Sequence, residues 1–431
     1  MDEGFLVDLK ARDLVHSCNS DALAGALARG AMTGYIGFDP TSDSLHVGSL
    51  LQIMTLRRFQ RAGHRPIALV GGGTGLIGDP SGKESERTLL SDDVLAKNVA
   101  GIRGQLERFL DFSPGKALLL NNADWLRKVH LLDFLRDIGK HFSVNEMLRR
   151  DSVKDRLANR ESGISFTEFS YILLQSMDFL QLYDDHGCNL QMGGSDQWGN
   201  IVSGADLIRR LRGVEAYGLT SPLINRADGK KFGKSEAGNV WLDPKRTSPY
   251  EFYQFWLNTD DKDVAPYLKA FTFLPLDVIE GLSKASAANP AAREAQRALA
   301  AEVTSLVHGG EALARAKHAT QVFFDPAGNW RQLTAQELQE AFQGAPSHAL
   351  PADALGTERA ALVGLLADSG LYPSRGQARK DLPNGSVSIN GQAVKDVEYR
   401  VSKDDVLPGG VIVLRKGKKT YIAIRVEGVA Q

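Results

Sequence analysis

The chain is organised around Tyr35-Ile36-Gly37-Phe38-Asp39-Pro40-Thr41-Ser42-Asp43-Ser44-Leu45-His46-Val47-Gly48-Ser49-Leu50. Residues 33–39 are typical of a short buried strand, because large apolar side chains stand among small ones. Residues 40–44 are rich in turn formers and helix caps, and the apolar residues from Leu50 onward follow the spacing of an amphipathic helix. A strand, a tight turn and a helix start leave backbone N–H groups where an anion can bind. The sequence therefore predicts an anion site at this turn, with His46 at the start of the helix.

Strands and helices alternate through the first half of the chain. Strand patterns at 33–39, 66–70 and 116–121 are separated by helical patterns. This rhythm predicts an α/β fold with a parallel sheet of the dinucleotide-binding type, which binds ligands at the carboxyl ends of its strands. A glycine-rich run at 71–75 follows the second strand, and we expect it to form a wall of the ligand pocket.

A polar stripe lies on a helical pattern that is otherwise apolar. Tyr171, Gln175 and Asp178 are spaced i, i+4 and i+7, so they share one helix face. Their neighbours are apolar nearly all round, which indicates a buried helix whose polar groups need partners. A polar ligand in a pocket would supply those partners.

Two further segments have the composition of a nucleotide site. The run 191–200 contains glycines that permit close approach of a ligand, and Asp196 is a plausible acceptor for ribose hydroxyls. The polar stretch 79–93 contains Lys83 and Arg87, which could close on a pyrophosphate group.

Two short motifs resemble those of a known enzyme family. His46-Val47-Gly48-Ser49 resembles the HIGH motif of class I aminoacyl-tRNA synthetases, and Lys231-Phe232-Gly233-Lys234-Ser235, about 185 residues later, resembles their KMSKS motif. The pattern of Tyr171, Gln175 and Asp178 resembles the tyrosine-binding helix of the bacterial tyrosyl branch of that family. The resemblance extends over nearly the whole chain.

The composition is that of an ordinary globular protein. The chain has 431 residues, of which 43% are hydrophobic and 24% charged, which suggests two or three domains. Cys18 and Cys188 are its two cysteines, too few for a disulfide framework and too far apart for a zinc cluster. The acidic N-terminus is not a secretory signal, and the sequence contains no apolar run long enough to span a bilayer. We therefore expect a cytoplasmic protein that does not enter membranes and holds no structural metal.

The last part of the chain is basic. From Arg359 to Gln431 there are 12 Lys and Arg against 7 Asp and Glu, although the whole chain has a net charge of −1. This part resembles a small α+β RNA-binding domain first seen in a ribosomal protein, with a helical motif at 374–380. A strand at 386–391 is expected to end in a type I′ turn, and 411–424 to form a hairpin. We therefore predict a catalytic domain at 1–245, a helical tRNA-contacting domain at 246–323, a mobile linker at 324–358 and the RNA-binding domain at 359–431.

The resemblance implies activation of tyrosine by ATP with Mg²⁺, followed by transfer of tyrosine to the 3′ end of tRNA(Tyr), by a homodimer. It implies that the departing phosphates meet Thr41, His46, Lys83, Arg87, Lys231 and Lys234. It implies that tyrosine binds Tyr35, Asp79, Tyr171, Gln175, Asp178 and Gln197. It implies that ATP binds Asp39, His46, Gly48, Gly194, Asp196 and Lys234. The residues expected to contact tRNA are Arg375, Arg379, Lys380, Lys416, Lys418 and Lys419.

Two alternatives stay open at this point. A tryptophanyl-type synthetase shares the fold, although Tyr35 with Asp178 suits a phenol better than an indole. A non-catalytic RNA-binding protein could also keep the fold. The presence of four residues argues against it: His46, Asp178, Lys231 and Lys234. Ser49 and Gly233 depart from the two family motifs, and the sequence assigns them no role.

Overall fold

The computed structural model describes residues 4–81, 90–150, 153–154, 157, 164–229, 232–235, 238–325, 328–417 and 420–428. In chain order the described strands are β1 (Ser17–Cys18), β2 (Thr33–Phe38), β3 (Arg65–Val70), β4 (Leu118–Asn121), β5 (Cys188–Gly194), β6 (Tyr217–Ser221), β7 (Lys234–Ser235), β8 (Gly238–Asn239), β9 (Ser347–Pro351), β10 (Val387–Ile389), β11 (Gln392–Val394), β12 (Val411–Lys416) and β13 (Thr420–Glu427).

The described α-helices are α1 (Phe5–Ala11), α2 (Ala22–Arg29), α3 (Val47–Arg61), α4 (Asp92–Leu106), α5 (Ala123–Leu126), α6 (Leu131–Asp133), α7 (Val144–Met147), α8 (Phe166–His186), α9 (Trp198–Arg212), α10 (Pro249–Leu257), α11 (Asp261–Phe271), α12 (Leu276–Ala288), α13 (Glu294–His308), α14 (Gly310–Phe324), α15 (Ala335–Ala341), α16 (Leu362–Asp368) and α17 (Arg375–Asp381). Short 3₁₀ segments connect several of them, including Thr74–Leu76 and Ser195–Gln197.

The chain divides into two compact units. The first comprises Met1–Asp243 and Thr259–Leu299, and the second comprises Pro244–Asn258 and Ala300–Gln431. Helix α13 crosses this division, because its residues 294–299 fall in the first unit and 300–308 in the second.

A parallel sheet organises the first unit, as the sequence predicts. Its described strands lie in the order β1-β6-β5-β2-β3-β4, and β1 alone among them runs antiparallel to its neighbour. From β2 the chain proceeds outward through β3 and β4, and then returns to the other side of β2 to form β5 and β6. Neighbouring crossovers therefore run in opposite directions at β2, which opens a crevice at the carboxyl ends of β2 and β5.

Helix α8 supplies a long buried support beneath that crevice. It begins after Ser165, whose hydroxyl accepts the N–H of Glu168, and it is capped at its C-terminus by Gly187, which lies in the left-handed region at φ +63°. Phe179 and Leu182 on this helix are buried in one apolar cluster with Tyr35 of β2. The polar residues of the helix are thereby held at a fixed place relative to the sheet.

An antiparallel sheet with two helices forms the C-terminal part of the second unit. Its described strands lie in the order β11-β10-β12-β13-β9, and β9 pairs parallel to β13. The predicted type I′ turn is confirmed, because Asn390 and Gly391 between β10 and β11 have φ values of +48° and +84°. The predicted hairpin is β12 with β13.

The structure differs from the predicted linker at 324–358. This interval contains α15, which begins with a capping box between Thr334 and Glu337, and strand β9 of the C-terminal sheet. Trp330 and Leu338 are buried in an apolar cluster that also contains Leu407 of the C-terminal part. The interval is built into the second unit, so the prediction of a linker is wrong.

Candidate active site

A cavity of about 790 Å³ opens at the carboxyl ends of β2, β3 and β5. Its lining includes most of the residues that the sequence predicts to bind tyrosine or ATP: Tyr35, Asp39, Thr41, His46, Gly48, Asp79, Tyr171, Gln175, Asp178, Gly194, Asp196 and Gln197. Gly71 and Gly75 of the glycine-rich run also line it. The topology brings these residues together from four separate parts of the sequence, 35–48, 71–79, 171–178 and 194–197.

Asp178 is a buried carboxylate with two donors. It is 2% exposed, and its two oxygens accept hydrogen bonds of 2.8 Å each, from Asn122 Nδ2 and from Trp125 Nε1. Burial raises the pKa of Asp178 to about 7, and the two hydrogen bonds act in the opposite direction. The carboxyl group is therefore poised between its neutral and ionised forms near neutral pH.

Tyr35 presents a buried hydroxyl at the same cavity. Its ring lies 5.4 Å from that of Phe179, and its hydroxyl has no hydrogen-bond partner among the described residues. Burial raises the pKa of Tyr35 well above its usual value, and the carboxyl group of Asp178 adds to the effect. The neutral hydroxyl can donate to or accept from a ligand, which would satisfy an otherwise unpaired buried group.

A network of amides surrounds Asp79 at another part of the lining. Gln197 Nε2 donates to Asp79 Oδ2 at 2.7 Å, and Asn200 Nδ2 donates to Gln175 Oε1 at 3.0 Å. The other Asp79 oxygen accepts the backbone N–H of Ser81 at 2.8 Å. Gln175 Nε2 and Gln197 Oε1 are 3.3 Å apart, so the network is continuous.

Tyr171 adds a neutral hydroxyl to this region. It is hydrogen-bonded to Thr74, and burial together with the carboxylates of Asp39, Asp79 and Asp178 raises its pKa well above the usual value. The carboxylates of Asp39 and Asp79 near this hydroxyl favour a cation such as a substrate ammonium group.

The start of α3 is shaped by a short contact between His46 and Gly48. The N–H of Gly48 donates to His46 Nδ1 at 3.0 Å, and a Cβ on Gly48 would lie 2.6 Å from His46 Cε1. Glycine is therefore needed for this cap. Because Nδ1 accepts, the neutral ring has its proton on Nε2, which can donate to a phosphate oxygen.

Several predicted residues are not placed at the cavity. Lys83, Arg87 and Lys231 lie outside the described residues, as do Lys418 and Lys419. Lys234 is described and exposed, lies on β7 and is not among the cavity-lining residues. Their predicted roles stay predictions.

The basic residues of the C-terminal part have partners of their own. Arg375 pairs with Asp368 and Arg379 with Glu398, each at 3.1 Å, while the Lys416 ammonium lies 3.9 Å from the centre of the Tyr372 ring. Lys380 is exposed on α17. Exposed ion pairs of this kind are weak, so a phosphate can compete for the arginines.

Sequence reasoning missed the residues that support the cavity floor. Asn122 lines the cavity, and Trp125 donates to Asp178 from outside the lining. Asn122 directly follows β4, so the rule that ligands bind at the carboxyl ends of strands was a signal that could have found it. Gln52 and Gln191, each with a buried side-chain oxygen that has no partner in the described part of the chain, were also missed.

The described residues contain no group of three or more His, Cys, Asp or Glu side chains that could hold a metal ion. None of the helices that these residues form is both long and apolar enough to cross a membrane.

Two protein-family models match the chain, one over its N-terminal three quarters or so and one over its C-terminal part. Residues 28–325 match the family model described as tRNA synthetases class I (W and Y), and residues 337–424 match the one described as the Tyrosine–tRNA ligase SYY-like C-terminal domain.

Individual relatives are similar over nearly the full length. A tyrosine–tRNA ligase of Roseiflexus castenholzii is 52% identical over 97% of this chain and 99% of that protein. Tyrosine–tRNA ligase 1 of Bacillus subtilis is 51% identical over 97% of this chain and 98% of that protein. Among solved structures, a C-terminally truncated mitochondrial tyrosyl-tRNA synthetase of Aspergillus nidulans has a TM-score of 0.67 at 32% identity, covering 75% of this chain and 94% of that one.

Proposed function

The chain belongs to the class I tRNA synthetases of the tryptophan and tyrosine group, and we propose that it acts as a tyrosine–tRNA ligase through the cavity at the carboxyl ends of β2, β3 and β5. It activates L-tyrosine with ATP to give tyrosyl-adenylate and pyrophosphate. It then transfers the tyrosyl group to the 3′ end of tRNA(Tyr).

The observation that carries this assignment to the cavity is that Asp178 and Tyr35 both line it. Asp178 offers a buried acceptor already fixed by two donors, and Tyr35 offers a buried hydroxyl without a partner in the described part of the chain. A phenol hydroxyl can donate to the first and accept from the second. An indole has a donor but no acceptor, so tryptophan would leave the Tyr35 hydroxyl unpaired.

The other end of the substrate is assigned to the network around Asp79. The α-ammonium group of tyrosine needs acceptors, and Asp79, the Tyr171 hydroxyl and Gln175 provide them on the cavity lining. Gln197 fixes the Asp79 carboxylate through its 2.7 Å hydrogen bond, which keeps the acceptor oriented. Binding at both ends places the tyrosine carboxylate toward the nucleotide.

The first chemical step is an in-line displacement. A tyrosine carboxylate oxygen forms a bond to the α-phosphorus of ATP, while the bond from that phosphorus to the oxygen bridging the β-phosphorus breaks. Pyrophosphate leaves with the bonding electrons. The protein supplies no nucleophile, so its contribution is positioning and stabilisation of the developing negative charge.

The nucleotide is assigned to the remaining lining residues. Gly48, Gly194, Asp39 and Asp196 bind the nucleoside part, where glycines permit close approach and the carboxylates accept ribose hydroxyls. The departing phosphates are met by Thr41, His46, Lys83, Arg87, Lys231 and Lys234. Mg²⁺ enters with ATP, whose phosphate oxygens supply much of its ligand set.

In the second step a ribose hydroxyl at the tRNA 3′ end attacks the tyrosyl carbonyl carbon. The bond to the adenylate oxygen breaks, AMP leaves with the bonding electrons, and the proton of the attacking hydroxyl passes to the departing phosphate. The tRNA backbone is contacted by Arg375, Arg379, Lys380, Lys416, Lys418 and Lys419, because cationic side chains bind phosphates independently of sequence. We assign the protein to the cytoplasm, where both tRNA and ATP are available to it.

The active species is assigned as a homodimer. Several large apolar side chains of the first unit are exposed, among them Leu132 at 78%, Phe166 at 77%, Leu131 at 69% and Val144 at 57%. Exposed apolar surface of this kind is typical of a surface that a second copy covers. Light scattering on the purified chain tests this, and a monomer at micromolar concentration would contradict it.

Amino-acid-dependent exchange of pyrophosphate into ATP tests the proposed function. We expect exchange with tyrosine, little with phenylalanine and none with tryptophan when all standard amino acids are assayed. Robust exchange with tryptophan, or none with any amino acid, would overturn the assignment.

A further inference from the structure

The turn between β2 and α3, residues 40–45, brings two groups of the proposed phosphate site to the cavity. Thr41 lies within the turn, His46 follows it directly, and both line the cavity. A turn has few backbone hydrogen bonds of its own, so its buried polar groups need partners from other elements. Helix α4 supplies such partners.

Two buried amide side chains of α4 bind the two ends of the turn. Asn98 Nδ2 donates to the carbonyl of Pro40 at 2.9 Å. At the other end, Gln105 Oε1 accepts the N–H of Leu45 at 2.9 Å. Gln105 Nε2 also donates at 2.9 Å to Ser44 Oγ, whose hydroxyl donates to the carbonyl of Leu45 at 2.7 Å. Asn98 and Gln105 are only 5% and 7% exposed, so water does not compete for these bonds.

Gly101 brings the same face of α4 against the middle of the turn. Asn98, Gly101 and Gln105 are spaced i, i+3 and i+7, so they share one helix face. A Cβ on Gly101 would lie 2.1 Å from the carbonyl oxygen of Asp43 and 3.0 Å from its carbonyl carbon. Backbone atoms cannot move aside as the end of a side chain can, so this contact requires glycine. An exposed ion pair of Lys97 with Asp43, at 3.3 Å, adds little.

These contacts fix the backbone on both sides of Thr41 and up to His46. A group that stabilises a departing phosphate is effective only if it is already oriented when charge develops. None of the residues of α4 lines the cavity. Their effect on the reaction must therefore pass through the turn.

We propose that Asn98, Gly101 and Gln105 are positioning residues for the activation step, which hold the turn before α3 so that Thr41 and His46 meet the pyrophosphate group as it departs. This inference rests on the proposed function, because it presupposes that these two residues meet the phosphates of ATP. It extends the catalytic machinery to a helix outside the cavity.

The first test compares two alanine substitutions on the same helix. Gly104, like Gly101, lies in α4 without a positive φ, but a Cβ on it would meet nothing within 4 Å. Alanine is the better helix former at both positions, so helix propensity does not distinguish them. We expect Gly101→Ala to lower the single-turnover rate constant of tyrosyl-adenylate formation by roughly 10²-fold, because a shift of about 1 Å in the turn misplaces the groups that it carries. Gly104→Ala should stay close to wild type. The Kd for tyrosine, measured by equilibrium dialysis without ATP, should be unchanged in both.

The second test removes hydrogen bonds without adding volume. Gln105→Met keeps the length of the side chain and loses both bonds to the turn. Gln105→Glu keeps an acceptor for the N–H of Leu45, and its second oxygen can accept the Ser44 hydroxyl when ionised or donate to it when neutral. We expect the rate constant to fall by about tenfold in Gln105→Met and to recover most of that loss in Gln105→Glu, again with an unchanged Kd for tyrosine.

A third measurement separates positioning from a general loss of structure. A chain that already carries Thr41→Ala no longer has that group to misplace. Adding Gly101→Ala to it should therefore slow adenylate formation less than the same substitution slows the wild type, by roughly threefold or more.

The outcomes separate this inference from the proposed function. A wild-type chain without tyrosine-dependent activity would overturn the proposed function. A normal wild type with Gly101→Ala as fast as Gly104→Ala, or with Gln105→Met as fast as Gln105→Glu, would overturn the positioning role alone. Equal costs of Gly101→Ala with and without Thr41→Ala would also overturn it, as would loss of tyrosine binding in Gln105→Met, because α4 would then support the cavity as a whole. If Gly101→Ala does not fold, the Gln105 pair decides.

Discussion

At the scale of single residues, the cavity floor explains how a hydroxyl can be selected. Without ligand, Asp178 keeps two donors while the Tyr35 hydroxyl has no partner among the residues that are described. A bound phenol satisfies Tyr35 and gives Asp178 a third donor. Phenylalanine fills the same space and satisfies neither, so the difference in binding free energy comes from groups that the protein has already buried.

Removing these two groups should have unequal effects. At a pH above 7, where Asp178 is ionised, we expect Asp178→Ala to lower kcat/KM for tyrosine by on the order of 10²-fold and Tyr35→Phe to lower it by roughly three- to tenfold. The effects differ because a hydrogen bond to an ionised group is about twice as strong as a neutral one. Both variants should discriminate less between tyrosine and phenylalanine, as measured by pyrophosphate exchange. Tyr35→Phe should not lower the Tm of the ligand-free protein, because it removes an unpaired hydroxyl. Unchanged discrimination in both would contradict the assignment.

The raised pKa of Asp178 predicts a pH-dependent stability. Its folded pKa of about 7 lies above its usual value of 3.8, so between these limits the folded chain binds more protons than the unfolded chain. The stabilising contribution is full below the unfolded pKa and is lost as pH rises through 7, at about 1.4 kcal/mol per pH unit. We therefore expect the stability of Asp178→Asn relative to wild type to increase steadily between pH 5 and pH 7. Urea unfolding without tyrosine measures this, and parallel pH profiles would contradict it.

At the scale of elements, Asn122 joins three parts of the first unit at the end of β4. Its Oδ1 accepts the N–H of Gly73 at 2.7 Å, and its Nδ2 donates to Thr74 Oγ1 at 2.9 Å and to Asp178 Oδ2 at 2.8 Å. One side chain thus links three elements: the carboxyl end of β4, the glycine-rich turn after β3 and helix α8. Trp125 adds a second donor from α5.

Weakening this support should affect tyrosine and not ATP. We expect Asn122→Ala and Trp125→Phe each to raise KM for tyrosine by roughly three- to tenfold, because each removes one hydrogen bond to a carboxylate. The KM for ATP should stay unchanged. Each variant should also raise the pKa of Asp178, which would shift the pH dependence of tyrosine binding to higher pH. Equal changes in both KM values would indicate a general distortion of the cavity.

Local sequence patterns were sufficient for much of the fold. The β2–α3 unit and the β10–β11 hairpin depend on residues that are close together in the chain. Asn390 and Gly391 are an example, because their preference for positive φ can be predicted without the rest of the molecule. The stripe of Tyr171, Gln175 and Asp178 was found for the same reason. Periodicity within one helix shows which residues share a face.

Interactions between distant parts of the chain could not be read in this way. Asn122 and Trp125 reach Asp178 across 56 and 53 residues, and their own sequence surroundings contain no periodic signal. Strand β9 was missed because Ser347–Pro351 has little β-branched or aromatic character, and its pairing with β13 depends on a strand more than 70 residues later. Tertiary pairing, and not propensity, makes it a strand.

At the scale of the whole molecule, tyrosine activation is assigned to the cavity of the first unit and tRNA binding to the basic C-terminal part. Truncating the chain between them does not separate the two activities cleanly. The sequence around Gly344 resembles a loop, which would favour truncation there. In the structure such a cut would strip the partners Leu407, Val413 and Ala423 from Trp330 and Leu338. An uncovered apolar cluster of this kind destabilises the remainder and promotes aggregation. Substitution of surface charges avoids this.

Removing the positive charge of α17 should therefore separate tRNA charging from tyrosine activation. Arg375 and Arg379 are 68% and 61% exposed, and Lys380 is also exposed, so replacing all three by alanine should leave Tm nearly unchanged. We expect tyrosine-dependent pyrophosphate exchange to remain and tRNA affinity to fall. The slope of log affinity against log salt should become shallower by roughly 0.7–0.9 for each phosphate that the variant no longer neutralises.

A matched triple variant of Arg359, Lys403 and Arg425, exposed cations elsewhere in the same unit, should retain more of the affinity and a steeper slope. If the affinity and the slope fall equally in the two triple variants, α17 is not the tRNA anchor and net charge alone explains the binding.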